Sequence, residues 1–588
     1  MKLQKAFSLK NLIAIVVVLL LGYLIGMASQ NPTGNTQVQT TLPTEIQANP
    51  TLQSTVQNTE IPSETVESIL KNLTSEGVFV FSMADGNNFH LFAYHPAYLP
   101  LTRMTNGIWD DCYPAISPDG TQLAFASNRD GAWDIYILNL NDGTITRLTN
   151  TLAYDSRPSW SPDGQWIAYE SYINDNLEIV VQSTTDPTLP VLQLTDDPVA
   201  DYAPSWSPSG RIIAFVSNRT GNEDIWLASL DETNNRFKNV SQTPDAIEAN
   251  PTWSPDGNQL AWSKSDGNIS TMWISDLVHP PREMGDGTLA VWNPQSDQLG
   301  GILQSPNDTY LLGYHVQDTS ISIQPIHLWG EVRGIVWAKG LLVQIAVDQY
   351  KTNSSATQVE LWHVEVDATV TAPAGRDSIV PVQDVEAPYA FLDDQVDEAF
   401  TALKEATAAK TGWDFLASLE NMYTPITQPV QPGIQQDWLI TGRGIAVNPA
   451  SYYAGWMAVS REDYFGATYW RIYLKARYQD GSQGEPVTQS VWDFTARYSG
   501  DTVGYEQGGQ YLNPPTGYWI DFTSLANRYG WSRLPAEGNW RTYFEGTRFN
   551  QLVFTGGLSW YEAMVQIYPP EVLTSSDFAP FISITPKP

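Results

Sequence analysis

Between residues 77 and 372 apolar and polar positions alternate in short runs, the period-two pattern of half-buried strands. Clear cases are Gln122-Leu-Ala-Phe-Ala-Ser127, Trp166-Ile-Ala-Tyr-Glu-Ser171, Ile212-Ile-Ala-Phe-Val-Ser217 and Gln259-Leu-Ala-Trp-Ser263. Each run follows a phrase that ends in a tight-turn signal. The phrases are Tyr113-Pro-Ala-Ile-Ser-Pro-Asp-Gly120, Arg157-Pro-Ser-Trp-Ser-Pro-Asp-Gly164, Ala203-Pro-Ser-Trp-Ser-Pro-Ser-Gly210 and Asn250-Pro-Thr-Trp-Ser-Pro-Asp-Gly257. Their serines, at 117, 161, 207 and 254, lie 44, 46 and 47 residues apart. A second turn (Arg129-Asp-Gly131, Arg219-Thr-Gly221) leads to a third strand (Asp134-Ile-Tyr-Ile-Leu138, Asp224-Ile-Trp-Leu227). A fourth ends in Arg147-Leu-Thr149 or its counterpart Gln193-Leu-Thr195. Four short strands in a unit of about 45 residues predict the blades of a β-propeller.

Weaker units flank the clear ones. Residues 77–106 match the later strands of a blade, Ala290-Val-Trp-Asn-Pro-Gln295 opens a decayed repeat, and the runs at 334–338, 341–347 and 359–364 suggest one more. The count is seven blades, with six possible if the two ends share a closing blade. After residue 372 the repeat stops. Asp393–Lys410 has helical spacing, with Val396, Phe400, Leu403 and Ala406 on one face, and second and closing helices are expected at Trp413–Met422 and Trp560–Tyr568. Strand-like runs such as Tyr469-Trp-Arg-Ile-Tyr-Leu-Lys-Ala-Arg477 lie between them. The fold class is mainly β: a propeller over 67–378 and an α+β domain over 379–588.

The N-terminus reads differently. Residues 1–10 carry three lysines, and residues 12–27 hold no charge, so 11–28 reach about the minimum length for crossing a bilayer. A basic flank stays inside, which makes 1–10 a cytoplasmic tail and places the bulk of the chain outside the cytoplasm. The rival is a signal peptide cleaved near Met27-Ala-Ser-Gln30. Residues 29–66, rich in Thr, Gln, Asn and Pro, lack apolar periodicity and read as a disordered tether.

Composition narrows the chemistry. The chain has 588 residues, too many for one core, and a formal charge of −33 from 31 basic and 64 acidic residues. So acidic a surface repels phosphate backbones, and nucleic acid is not expected as a partner. Cys112 is the only cysteine, which rules out an intrachain disulfide and a thiolate metal cluster. The six histidines all precede residue 380, so the C-terminal domain cannot build a Ser-His-Asp triad or a histidine-ligated zinc within itself. It also lacks a Gly-x-Ser-x-Gly elbow. Carboxylate-only catalysis survives, with Asp414, Glu462 and Asp463 as candidates of no diagnostic spacing. The nine tryptophans after residue 410 serve either as core or as a carbohydrate-stacking platform. No cofactor, catalytic residue or metal site is assigned.

One polar feature recurs with the repeat. Asp111, Asp155, Asp201 and Glu248 stand at matching places before the repeat proline. Radial repetition sets them as an arc on one rim of the channel, where they bind a cation or basic peptide, or else pair with Arg129, Arg157 or Arg219 of a neighbouring blade.

The repeat over 105–277 resembles that of the TolB-type propeller, x-Pro-x-Trp-Ser-Pro-Asp-Gly-x-x-Ile-Ala-Phe. That resemblance implies the fold; the same repeat serves binding proteins and non-catalytic peptidase domains alike. In the C-terminal domain, Ile440-Thr-Gly-Arg-Gly-Ile-Ala-Val447 and Thr547-Arg-Phe-Asn-Gln-Leu-Val-Phe554 are loosely similar to the zinc-ligand segments of VanY-like carboxypeptidases. The histidines and the Asp of that pattern are absent, so the resemblance implies a relative without zinc that keeps a peptide cleft. The expected function is a membrane-anchored, extracytoplasmic binding or scaffold protein that recognises a protein, peptide or cell-wall ligand through its propeller. The alternative is a cell-wall peptide or glycan hydrolase acting through the C-terminal domain.

Overall fold

A computed structural model describes residues 76–573 apart from 187, 245, 268, 340–359, 368–375, 429–433 and 435. All described residues belong to one compact unit. The expected tail (1–10), anchor (11–28), tether (29–66) and strand at 341–347 lie outside the described residues. Among the described residues no helix is long and apolar enough to cross a membrane.

Why each repeat turns where it does is visible in its side chains. Ser117 Oγ donates to Asp119 Oδ1 (2.6 Å) and accepts from the Gln122 N–H (2.9 Å), while Asp119 Oδ1 also accepts from the Thr121 N–H (3.0 Å). The same closure recurs at Ser161–Asp163 and Ser254–Asp256, and Asn293 replaces the serine in the decayed repeat, accepting from the Gln298 N–H. Short polar side chains thus satisfy backbone donors that the turn takes out of the ladder. The repeat proline has no N–H to offer its neighbour strand. The register accordingly slips at this point in four innermost strands, between Cys112/Ala115, Ser156/Ser159, Tyr202/Ser205 and Ala249/Thr252, and the same slip persists between Thr288/Val291, where Ala290 stands in place of the proline.

The strands assemble into four-stranded antiparallel sheets. In chain order their innermost strands are Asp111–Ile116, Asp155–Trp160, Asp201–Trp206, Ile247–Trp253, Thr288–Trp292 and Val332–Ala338. The last pairs with Val78–Asp85, which carries Asn88–His95 and Leu99–Arg103 outward. Two segments that the sequence presents as separate weak units are therefore halves of one sheet, and the count of seven becomes six among the described residues. Each innermost strand packs against the next, and Val332–Ala338 packs back on Asp111–Ile116.

The repeat tryptophan clasps neighbouring blades. Trp160 Nε1 donates to the Ala115 carbonyl (3.0 Å), Trp253 to Ser205 (3.2 Å) and Trp292 to Thr252 (3.2 Å), each in the preceding blade, whereas Trp337 donates to Glu76 (2.9 Å) beside its own closing sheet. Each ring is buried between sheets, and in the first three the N–H satisfies a carbonyl beside the register slip, which suits Trp better than any other large apolar residue.

Beyond the propeller, the helix Asp397–Thr411 buries Phe400, Leu403 and Ala406 as its spacing predicts, and the closing helix spans Trp560–Ile567. The helix expected at Trp413–Met422 does not form. Gly412 ends the preceding helix in the left-handed region (φ 74°), and Leu419–Asn421 joins a sheet opposite Val447 and Ala446. Two four-stranded sheets follow: Leu419–Asn421, Gly444–Val447, Gln551–Val553 and Ser532–Arg533 in one, Met457–Tyr464, Ala467–Lys475, Tyr518–Asp521 and Glu485–Pro486 in the other. Trp470, Trp492, Phe494, Trp531 and Trp540 fill the space between them and the long helix.

The C-terminal domain sits against the propeller face where the innermost strands begin. Arg333 donates to Glu485 at 2.5 Å, Arg528 to the Asn87 carbonyl at 2.7 Å, and the Gly517 N–H to Tyr172 Oη at 2.7 Å; Ser524 bonds Glu331. The Ser-Pro-Asp-Gly turns are at the other end of those strands, so among the described residues that mouth of the channel is uncovered.

Candidate ligand-binding funnel

The register slip has a second consequence. It holds Tyr113, Arg157, Ala203, Asn250 and Leu289 at φ of 55°, 49°, 52°, 55° and 51°. Positive φ is uncommon for residues with a Cβ, and its recurrence at one point of the repeat marks a site imposed by the architecture. All five line the central channel, as does Gly334, where a Cβ would come within 2.8 Å of the Tyr113 backbone.

The channel opens among the Ser-Pro-Asp-Gly turns as a funnel of about 780 Å³. Prolines and tryptophans of successive repeats, such as Pro162, Trp206, Pro208 and Pro255, form its walls, and Lys339 stands exposed at its rim. At its floor the Arg157 guanidinium donates to Asn250 Oδ1 across the channel (3.0 Å), lies 4.3 Å from the centre of the Tyr113 ring, and faces Glu170 at 3.4 Å. Burial raises the Tyr113 phenol far above its ordinary range, which favours its neutral form. An apolar concavity with few convergent polar groups at its base is the usual form of a specific binding site.

The four recurrent carboxylates are elsewhere. Asp111, Asp155, Asp201 and Glu248 stand at the starts of the innermost strands, fully or almost fully buried. Asp111 pairs with Arg129 (2.7 Å) and Asp201 with Arg219 (2.5 Å), each inside its own sheet and not across to a neighbour. Asp155 accepts from Ser171 (2.6 Å) and Thr151 (3.0 Å), and Glu248 from Thr243. Arg157, the third arginine of that expectation, pairs with Glu170 instead. Burial pushes Asp155 and Asp201 up to about 6 and Glu248 up to about 8. Among the described residues no group of His, Cys, Asp and Glu is arranged to hold a metal ion.

The three candidate carboxylates of the C-terminal domain are committed to ion pairs. Burial favours protonation of Glu462, but Arg471 and Arg533, each at 2.6 Å, hold it down at about 2. Asp463 pairs with Arg461 (2.9 Å) and Asp414 with Lys404 (2.8 Å). A carboxyl that low is no general acid near neutral pH. Of the nine tryptophans, seven are buried; Trp413 and Trp456 are exposed and stack on each other with centroids 6.1 Å apart. The two segments compared above with zinc-ligand segments do meet, Gly444–Val447 pairing with Gln551–Val553, and no metal-binding set accompanies them among the described residues.

The five left-handed residues were not singled out in the sequence. Their identities, Tyr, Arg, Ala, Asn and Leu, share no chemistry; a following proline signals the place of the first four, and Leu289 precedes Ala290 instead.

A family model described as the TolB beta propeller domain matches residues 104–184, the first two clear repeats. No curated protein matches the sequence. Among solved structures, TolB from Acinetobacter baumannii is 20% identical, with 47% of this chain and 71% of that one covered, at a TM-score of 0.41. A putative TolB from Agrobacterium tumefaciens is 19% identical over 44% of this chain and 83% of that one, at 0.28. A puromycin-hydrolyzing peptidase of Mycobacterium tuberculosis is 16% identical over 44% of each chain, at 0.33. Over residues 104–184 this chain carries the TolB-type β-propeller repeat.

Proposed function

We propose that the protein is a binding scaffold that recognises an extended peptide segment of a protein partner through the propeller funnel, held at the membrane by residues 11–28 with the folded part outside the cytoplasm. The observation that carries the reading is the funnel: open at one mouth among the described residues, walled by Pro and Trp, and floored by Arg157, Asn250 and Tyr113. Proline walls offer carbonyls and apolar surface but no N–H, so an extended chain brings its own donors and places alternate side chains between blades. The two or three polar groups at the floor then set register. The hydrolase alternative has no comparable support, because Asp414, Glu462 and Asp463 are all ion-paired.

The test is capture from solubilised envelope and cell-wall fragments with the full chain as bait, followed by mass spectrometry of what is bound and what is altered. A peptide or protein retained intact by the parent and lost from Leu289→Trp, which fills the funnel floor, supports the reading. Shortened peptides or glycans released by both proteins overturn it in favour of hydrolysis.

A further inference from the structure

A second cavity, about 830 Å³, lies at the junction between the propeller and the C-terminal hairpin Met457–Tyr464/Ala467–Lys475. Asn250 lines both this cleft and the funnel. One wall carries Glu223, and the other carries Asp463 and Tyr511. The walls converge where Asp463 Oδ2 comes within 3.8 Å of the Cβ position at Gly267. Glu223 and Asp463 both act on the Tyr511 phenol, so carboxylates from the two domains face one space.

Glu223 is the anomaly. It precedes the third strand of its blade, a position fixed by the next residues: Asp134, Glu178 and Asp224 each take a hydroxyl bond from Thr149, Thr195 or Ser241. The matching residues in the two preceding blades are Trp133 and Leu177, both buried in the propeller core. Glu223 is 4% exposed, yet no cation and no other side chain pairs with it among the described residues, and its carboxylate takes a hydrogen bond from its own backbone N–H. The cations of the cleft are engaged elsewhere, Arg461 with Asp463 and Arg471 with Glu462 and Asp521. At the same corner Ile247 is left 44% exposed, so the apolar cover found in the earlier blades is missing. A buried carboxylate without a counter-charge is costly, and a core position that admits Trp and Leu does not require it.

We propose that this junction cleft is a second binding site, which takes the basic side chain of a peptide, a lysine ammonium or an arginine guanidinium, with Glu223 as its counter-ion. The site is independent of the funnel reading, since apart from the shared Asn250 it is built from other residues on the covered face of the propeller. Burial raises the Glu223 pKa, with Asp224 adding to the effect, so the empty site holds its proton more tightly than a free glutamate does. Binding of a cation expels that proton, and affinity falls as the pH is lowered.

The test is a titration of the full chain in detergent with the labelled peptide Gly-Ala-Lys-Ala-Gly and its norleucine counterpart. The parent is expected to prefer lysine at least tenfold at pH 8, with the preference shrinking toward pH 5. Glu223→Gln should abolish both the preference and its pH dependence while melting at the parent temperature or above, and Glu223→Leu, the residue of the preceding blade, should do the same. Leu289→Trp in the funnel should keep the preference. The proposal is overturned if the parent shows no lysine preference, if Glu223→Gln retains it, or if Leu289→Trp removes it. It is also overturned if neither Glu223 variant folds, which makes the carboxylate structural. Equal binding of cadaverine overturns the assignment to a peptide side chain.

Discussion

Arg157 and Asn250 sit 93 residues apart in sequence and meet at 3.0 Å across the channel, each held there by a left-handed backbone. This bond floors the funnel and ties the second blade to the fourth. Asn250→Ala removes the acceptor from a half-buried guanidinium and puts a less tolerant residue at φ 55°, and should cost about 1–2 kcal/mol. Asn250→Asp keeps an acceptor and tolerates that φ, so it should cost much less. Urea denaturation of both variants checks the pair.

The indole clasps differ from blade to blade. Trp253 donates to the Ser205 carbonyl, whereas Trp206 Nε1 is buried without an acceptor. Trp253→Phe should therefore lower stability by about 1 kcal/mol more than Trp206→Phe does. Equal losses would show that the indole bonds contribute nothing beyond apolar packing.

Glu248 sets a pH dependence. Burial and the nearby Asp224 push it up to about 8, against the opposing pull of Lys264. A carboxyl raised in the folded state contributes stability that is complete below the unfolded pKa of about 4.5 and lost as pH rises through 8. Glu248→Gln, which mimics the protonated form, should gain on the parent by about 4 kcal/mol between pH 5 and pH 9. Thermal melts of the two proteins at both pH values measure the difference, and a constant gap contradicts it.

The propeller and C-terminal domain share the Arg333–Glu485 pair at 2.5 Å. Arg333→Met strands a partly buried carboxylate and should destabilise the chain by about 2–3 kcal/mol. Arg333→Met/Glu485→Gln should recover a good part of that loss, because the uncompensated charge goes with it. Additive losses in the double-mutant cycle would deny the coupling.

The parts of this fold legible in the sequence are those where one local chemistry repeats. Ser117, Asp119 and their counterparts close the same turn each time, and Trp160, Trp253 and Trp292 make the same clasp. The closing blade was hidden because its strands come from the two ends of the propeller, Val78–Asp85 and Val332–Ala338. The recurrent carboxylates were visible as a pattern, but only the structure shows that Asp111 and Asp201 turn into their own sheets. The funnel residues escaped notice for the opposite reason. Their backbone repeats while their side chains do not. Gly412 likewise outweighed the helical spacing after it, since a left-handed cap stops a helix whatever follows.

The most direct test of funnel recognition places a photo-reactive benzoylphenylalanine in the full chain at Lys339, on the funnel rim, or at Trp456, exposed on the C-terminal domain. Both proteins are irradiated in solubilised envelope, and the cross-linked peptides are mapped. Recognition through the funnel predicts that one extended segment is captured from position 339 and not from 456, and that Leu289→Trp abolishes its capture. Capture from 456 alone, or capture at 339 that survives Leu289→Trp, would contradict it.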